Sequence, residues 1–178
     1  MHAHLEDVFT RLDRSRVALR AAIDAVPVSV RRNRPAPDRW STAEVVEHLS
    51  MVERLFTDRI ANALQPRIPD LDRETADRVK LPDALEARMA DRVNRRQAPD
   101  TAQPTGEIAC DEAWMRLEDG HARLRTIIGA ADGLALGEVM LEHRFFGSLT
   151  IYQWVELMAA HEGRHTEQIR EIANVLAV

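Results

Sequence analysis

The sequence predicts an all-α fold, a four-helix bundle with one long crossover connection, and three observations predict it. Four stretches carry apolar residues at helical spacing, two of them open on capping boxes, and none carries the signals of a strand. The composition agrees: seven glycines and one tyrosine are few, while Ala, Leu, Arg and Glu, which lose little rotamer freedom on a helix, are plentiful. At 178 residues the chain has the length of a single domain, 1–178, able to bury a core.

The first helix is expected over about residues 3–26, where Leu5, Val8, Phe9, Leu12, Leu19, Ile23 and Val26 share a face and Pro27 stops it. In the capping box Ser41-Thr42-Ala43-Glu44, the Ser hydroxyl takes the third amide of the second helix and Glu44 reaches back to the cap. That helix should run to about Leu64 with Val45, His48, Leu49, Val52, Leu55, Phe56 and Ile60 on its stripe. Residues 66–104 hold five of the eight prolines and read as an excursion between core helices, with a short helix over about 83–97. The third core helix is expected at about 107–130, carrying Ile108, Trp114, Leu117, Leu124, Ile127 and Ile128. Thr150-Ile151-Tyr152-Gln153 is the second capping box and opens the last helix, whose stripe is Ile151, Trp154, Val155, Met158, Ile169, Ile172 and Leu176.

The charge balance argues against a nucleic-acid partner. The net charge is −5, and the Arg-rich patches, Arg31 to Arg34 and Arg92 to Arg96, are short and mixed with acids, as on a solvated surface. Cys110 is solitary, so no internal disulfide can form. No apolar run approaches the roughly 18 residues of a membrane span, and the N-terminus lacks a signal-peptide pattern, which makes the cytoplasm the expected address.

The histidines carry the chemistry. His161 and His165 lie four apart on the last helix, on the core stripe between Met158 and Ile169, and His48 occupies the stripe of the second helix. Inward imidazoles are costly unless their ring nitrogens are satisfied, and a divalent cation satisfies them well. Hydrogen-bonded core histidines remain the alternative. The string His161-Glu162-Gly163-Arg164-His165 also matches the zinc-peptidase pattern H-E-x-x-H. That reading is disfavoured, because only 13 residues follow His165 and the extended pattern's Gly and His are replaced by Gln168 and Glu171.

The segment from His143-Arg144-Phe145-Phe146-Gly147-Ser148-Leu149-Thr150 through Trp154 to His161-Glu162-Gly163-Arg164-His165-Thr166-Glu167-Gln168-Ile169 resembles the C-terminal signature of the DinB/YfiT-like superfamily. Trp40-Ser41-Thr42-Ala43-Glu44-Val45-Val46-Glu47-His48-Leu49 resembles its second-helix motif. The resemblance covers essentially the whole chain and departs at Arg144, where relatives often have proline. It implies a four-helix bundle that binds one divalent metal through three histidines, carried over here to His48, His161 and His165. Zinc or nickel fits such a set best, with iron or manganese as further choices. The resemblance also implies a homodimer, and it points to a thiol-dependent S-transferase or isomerase using a low-molecular-weight thiol such as bacillithiol or mycothiol. The competing expectations are a non-enzymatic metal-binding stress-response protein and a metal-dependent hydrolase.

Other residues carry weaker expectations. Gln168, one turn beyond His165, could orient a ligand or a substrate. Glu162 could assist the metal site, although a solvated helix face explains it, and capping explains Glu44. His143 precedes a turn and reads as structural, nothing is assigned to His2 and His4, and Trp40, Trp114 and Trp154 read as core with one lining the pocket.

Overall fold

A computed structural model describes residues 1–75, 79–94 and 97–176. Four long helices form the bundle: α1 (Ala3–Asp24), α2 (Thr42–Leu64), α4 (Cys110–Gly129) and α5 (Ile151–Leu176), with the short α3 (Asp83–Ala90) in the excursion. Helix α1 lies along α5, and α2 along α4. Both capping boxes form as their residues require. The Glu44 amide donates to Ser41 Oγ at 3.3 Å and the Ser41 amide to Glu44 at 2.8 Å, and Thr150 and Gln153 exchange the same pair at 3.0 and 3.2 Å.

A β-hairpin precedes α5 and corrects the expectation of helices alone: β1 (Met140–His143) pairs antiparallel with β2 (Gly147–Thr150). Strands of four residues are too short to display a two-residue period, so tertiary contacts define them. Leu141 and Leu149 face each other in register and are both buried, and the Trp154 indole donates to the Leu141 carbonyl at 3.2 Å. Gly147 sits at φ 75°, where a side chain would be strained.

Two further expectations are corrected. Helix α3 ends at Ala90 rather than near residue 97, because the Asp91 carboxylate accepts the amides of Val93 and Asn94 and holds a turn there. Arg31 is buried instead of solvated: it donates to the Val26 carbonyl at 3.0 Å and pairs with Asp111 at 3.2 Å. Arg92 pairs with Glu171, while Arg95 and Arg96 of the second patch lie outside the described residues.

The core is divided in two. Leu5, Leu12, Ile60, Leu124, Trp154 and Met158 belong to one cluster, and Leu19, Ile23, Val45, Leu49, Leu117 and Ile169 to the other. Between them lies a polar layer to which all four long helices contribute. Arg16 of α1 donates to Glu162 of α5 at 2.9 and 2.5 Å and to Glu118 of α4 at 2.9 Å, and it lies 3.7 Å from Glu53 of α2. Gly120 of α4 makes the room, since a Cβ there would stand 2.7 Å from Glu53 Cγ.

Candidate metal centre

Helices α2 and α5 run antiparallel. His48 meets His161 and His165, whereas Phe56, two turns further along α2, meets Trp154, two turns earlier on α5, at a ring separation of 4.8 Å. The predicted ligands therefore come together. His48 and His165 are buried and His161 half-buried, and one ring nitrogen from each lies within 4.8 Å of the others. His161 Nε2 stands 3.4 Å from His48 Nε2 and 3.1 Å from His165 Nε2.

The outer nitrogens fix the tautomers. His48 Nδ1 lies 2.7 Å from the Ala102 carbonyl and His165 Nδ1 2.9 Å from Gln168 Oε1, both acceptors, so each Nδ1 carries the proton and each Nε2 presents a lone pair. His161 Nε2 can donate one proton and so serve only one of the two contacts. The remaining lone pairs converge with nothing to bind them, and a cation held by all three resolves this. Burial lowers the His48 pKa, and it holds those of His161 and His165 well below the usual value, helped by their mutual proximity. Neutral imidazole is the ligating form, so the donor set fits a divalent metal.

The Ala102 carbonyl sits at the end of the excursion, and Glu47 holds it in place. The buried Glu47 carboxylate accepts the Thr105 amide and hydroxyl at 2.9 and 2.8 Å and the Gly106 amide at 3.0 Å. Gly106 has φ 75° and packs beside Glu44, where a Cβ would lie 3.2 Å from Oε1. Sequence reasoning missed both Glu47 and Ala102. The first was readable as an inward acid beside His48, and the second acts through backbone alone.

The three imidazoles line a pocket of about 580 Å³, between α2 and α5 and under the excursion, whose walls include Met89 and residues 97–99. Trp40 is a wall and packs, tilted, against the His48 ring at 4.9 Å, whereas Trp154 is fully buried and Trp114 is half-buried beneath Arg16 and Arg20. Val52, Leu55 and Phe56, on the predicted stripe of α2, are only half-buried because they face this pocket.

The chain matches the DinB superfamily model over residues 11–169. It belongs to the DinB superfamily. A relative, the uncharacterized protein YuaE of Bacillus subtilis (strain 168), is 27% identical over 143 residues, covering 78% of this chain and 80% of its own. The crystal structure of TT2238, described as a four-helix bundle protein, superposes with a TM-score of 0.57 at 19% identity, covering 94% of this chain and 98% of its own. That likeness concerns the fold.

The lesser candidates of this DinB-superfamily chain separate in the structure. Gln168 places its Oε1 2.9 Å from His165 Nδ1. Glu44 caps α2 and pairs with Arg34. Glu162 is neither solvated nor in the pocket: it is buried against Arg16 and Ser15 in the polar layer, which corrects both expectations for it. His143 lies outside the three-imidazole group but lines the pocket, its ring 5.1 Å from that of Trp154. His2 caps α1, and the His4 ring meets Tyr152 edge-on at 5.9 Å.

Proposed function

We propose that this DinB-superfamily protein is a metal-dependent enzyme that transfers a low-molecular-weight thiol to an electrophile bound in the pocket. The observation that carries this reading is an open donor set. Three converging neutral imidazoles face a cavity, and among the described residues no fourth histidine, cysteine or carboxylate joins them.

His48, His161 and His165 would hold the cation, zinc or nickel by preference and iron or manganese as further choices of the same donors. A divalent cation on neutral ligands keeps its charge and, when bound, favours the deprotonated form of a thiol beside it. The chain's own residues do the rest. Ala102 and Gln168 fix the orientation of His48 and His165. Trp40, Val52, Leu55 and Phe56 form an apolar wall that keeps water from competing with the thiol.

The nucleophile must come from outside. Cys110 is buried on α4 away from the pocket, and burial pushes its thiol pKa up. In the transfer the external thiol loses its proton to solvent, an S–C bond forms, and the electrophile's leaving group departs with the bonding pair.

Elemental analysis of the purified protein beside His48→Ala tests the donor set, with stoichiometric metal expected in the first and its loss in the second. Thiol consumption with a panel of electrophiles, compared with His161→Ala, tests the activity. Full metal loading without consumption above that variant would leave the metal as a structural tie between α2 and α5. Equal metal content in the protein and His48→Ala would refute the centre itself.

A further inference from the structure

The pocket is cationic in an acidic protein. The chain carries a net charge of −5, yet Arg39, Arg59, Arg92, Arg144 and Arg164 line this cavity against two carboxylates, Asp38 and Glu171. Glu171 is already taken by Arg39 at 3.2 Å and Arg92 at 2.5 Å, and Arg164 donates to the carbonyls of Met89 and Asp91. Arg59 and Arg144 differ from these three. Among the described residues neither has a carboxylate partner, and each guanidinium lies over an aromatic ring, Arg59 5.6 Å from the centre of Trp154 and Arg144 5.2 Å from that of Phe145. Stacking satisfies the face of a guanidinium and leaves its edge, with paired N–H donors, free for a planar anion.

One face of α2 orders these features along the pocket. His48, Val52, Leu55, Phe56 and Arg59 recur at helical spacing, and all line it. They run from an imidazole through an apolar middle to a cation, with about 16 Å of helix between the ends. The hairpin continues the apolar middle with Phe145 and Phe146, and it brings His143, the residue before Arg144, to 5.1 Å from the Trp154 ring over which Arg59 lies.

We infer that the pocket takes an elongated small molecule with an apolar body and a carboxylate, the body lying on Phe56, Phe145 and Phe146 and the carboxylate on Arg59 and Arg144. This rests on reading the imidazole-lined pocket as the reaction site, and it names the class of substrate held there. The volume of about 580 Å³ suits such a molecule.

The test compares three probes with one skeleton, phenylbutyrate, phenylbutanamide and phenylbutylamine, by calorimetric titration of the full chain. The expected result is binding of the acid about tenfold more tightly than the amide, with the amine weakest. In the double variant Arg59→Gln, Arg144→Gln the acid should fall to the affinity of the amide, which is unchanged. Both arginines are exposed, so folding should survive, and circular dichroism checks it. His161→Ala separates the two ideas. A preference kept there but lost in the arginine variant supports the carboxylate site even if the protein proves metal-free. A preference lost in His161→Ala but kept in the arginine variant puts the carboxylate on the imidazole centre and overturns the inference while leaving the metal reading intact. Equal affinities of acid and amide in the unmodified protein, or binding of none of the three probes, also overturn it.

Discussion

Glu47 and His48, adjacent on α2, hold the same loop at two points: Glu47 takes the amides of Thr105 and Gly106, and His48 bonds the Ala102 carbonyl three residues earlier. The loop's conformation and the imidazole's tautomer are therefore one arrangement. Removing the carboxylate in Glu47→Ala leaves two amides and a hydroxyl to find other partners, a cost of about 1–3 kcal/mol, read by urea unfolding. It should also weaken metal binding by about tenfold or more, as loss of an outer partner of a ligating histidine does. Chelator competition measures this, and unchanged affinity would uncouple the loop from the site.

Gln168→Leu should act on His165 alone. The side chain is of similar size but cannot accept the Nδ1 proton, so the ring is free to rotate or to change tautomer. The expected outcome is a roughly tenfold loss of metal affinity with little change in the melting temperature of the metal-free protein. A large drop in that melting temperature would mean that Gln168 serves the core more than the site.

Glu53 should make stability fall as pH rises. Burial pushes its carboxyl up to about 8, against an ordinary value of 4.5, outweighing the pull of Arg16. Between those values the folded chain holds a proton that the unfolded chain has released, so folding is progressively disfavoured across that window, and the full penalty is present above it. Glu53→Gln keeps the shape without the titration. Chemical unfolding across the window should show the variant gaining on the parent, by up to a few kcal/mol at the alkaline end. A constant difference would show that Glu53 is ionised throughout.

Gly120→Ala sets two effects against each other. Alanine is favoured over glycine inside a helix by about 1 kcal/mol, but the new methyl would stand 2.7 Å from Cγ of Glu53, whose side chain is buried and cannot retreat to solvent. Overpacking at such a place costs about 1–3 kcal/mol, so net destabilisation is expected in thermal melts. Combining it with Glu53→Ala, which vacates the space, should restore part of the loss.

Much of this was readable before the fold was known. The capping boxes set the starts of α2 and α5, and three histidines on two apolar stripes pointed to the three-imidazole group, because helical periodicity fixes which side chains point inward. The polar layer was partly readable: Arg16 follows Leu12 by four residues and Glu53 follows Leu49 by four, charges in core positions. Their pairing was not readable, since it joins residues separated by 102 and 146 positions. The Ala102 carbonyl had no sequence signature at all, and the hairpin owes its strands to Trp154 and its own cross-strand contacts rather than to local pattern.

The polar layer also bears on how this bundle finds a single alignment. Apolar stripes alone tolerate sliding, because one leucine replaces another a heptad away. A heptad slip of α1 or α5 would instead set Arg16 or Glu162 in one of the apolar clusters, leaving a buried charge without its counterion, an error of about 3–5 kcal/mol. Glu162 is the residue next to His161. The axial position that satisfies Arg16 is therefore the one that delivers the histidines to each other, and the chain proofreads its own helix alignment at the level where the donor set is assembled.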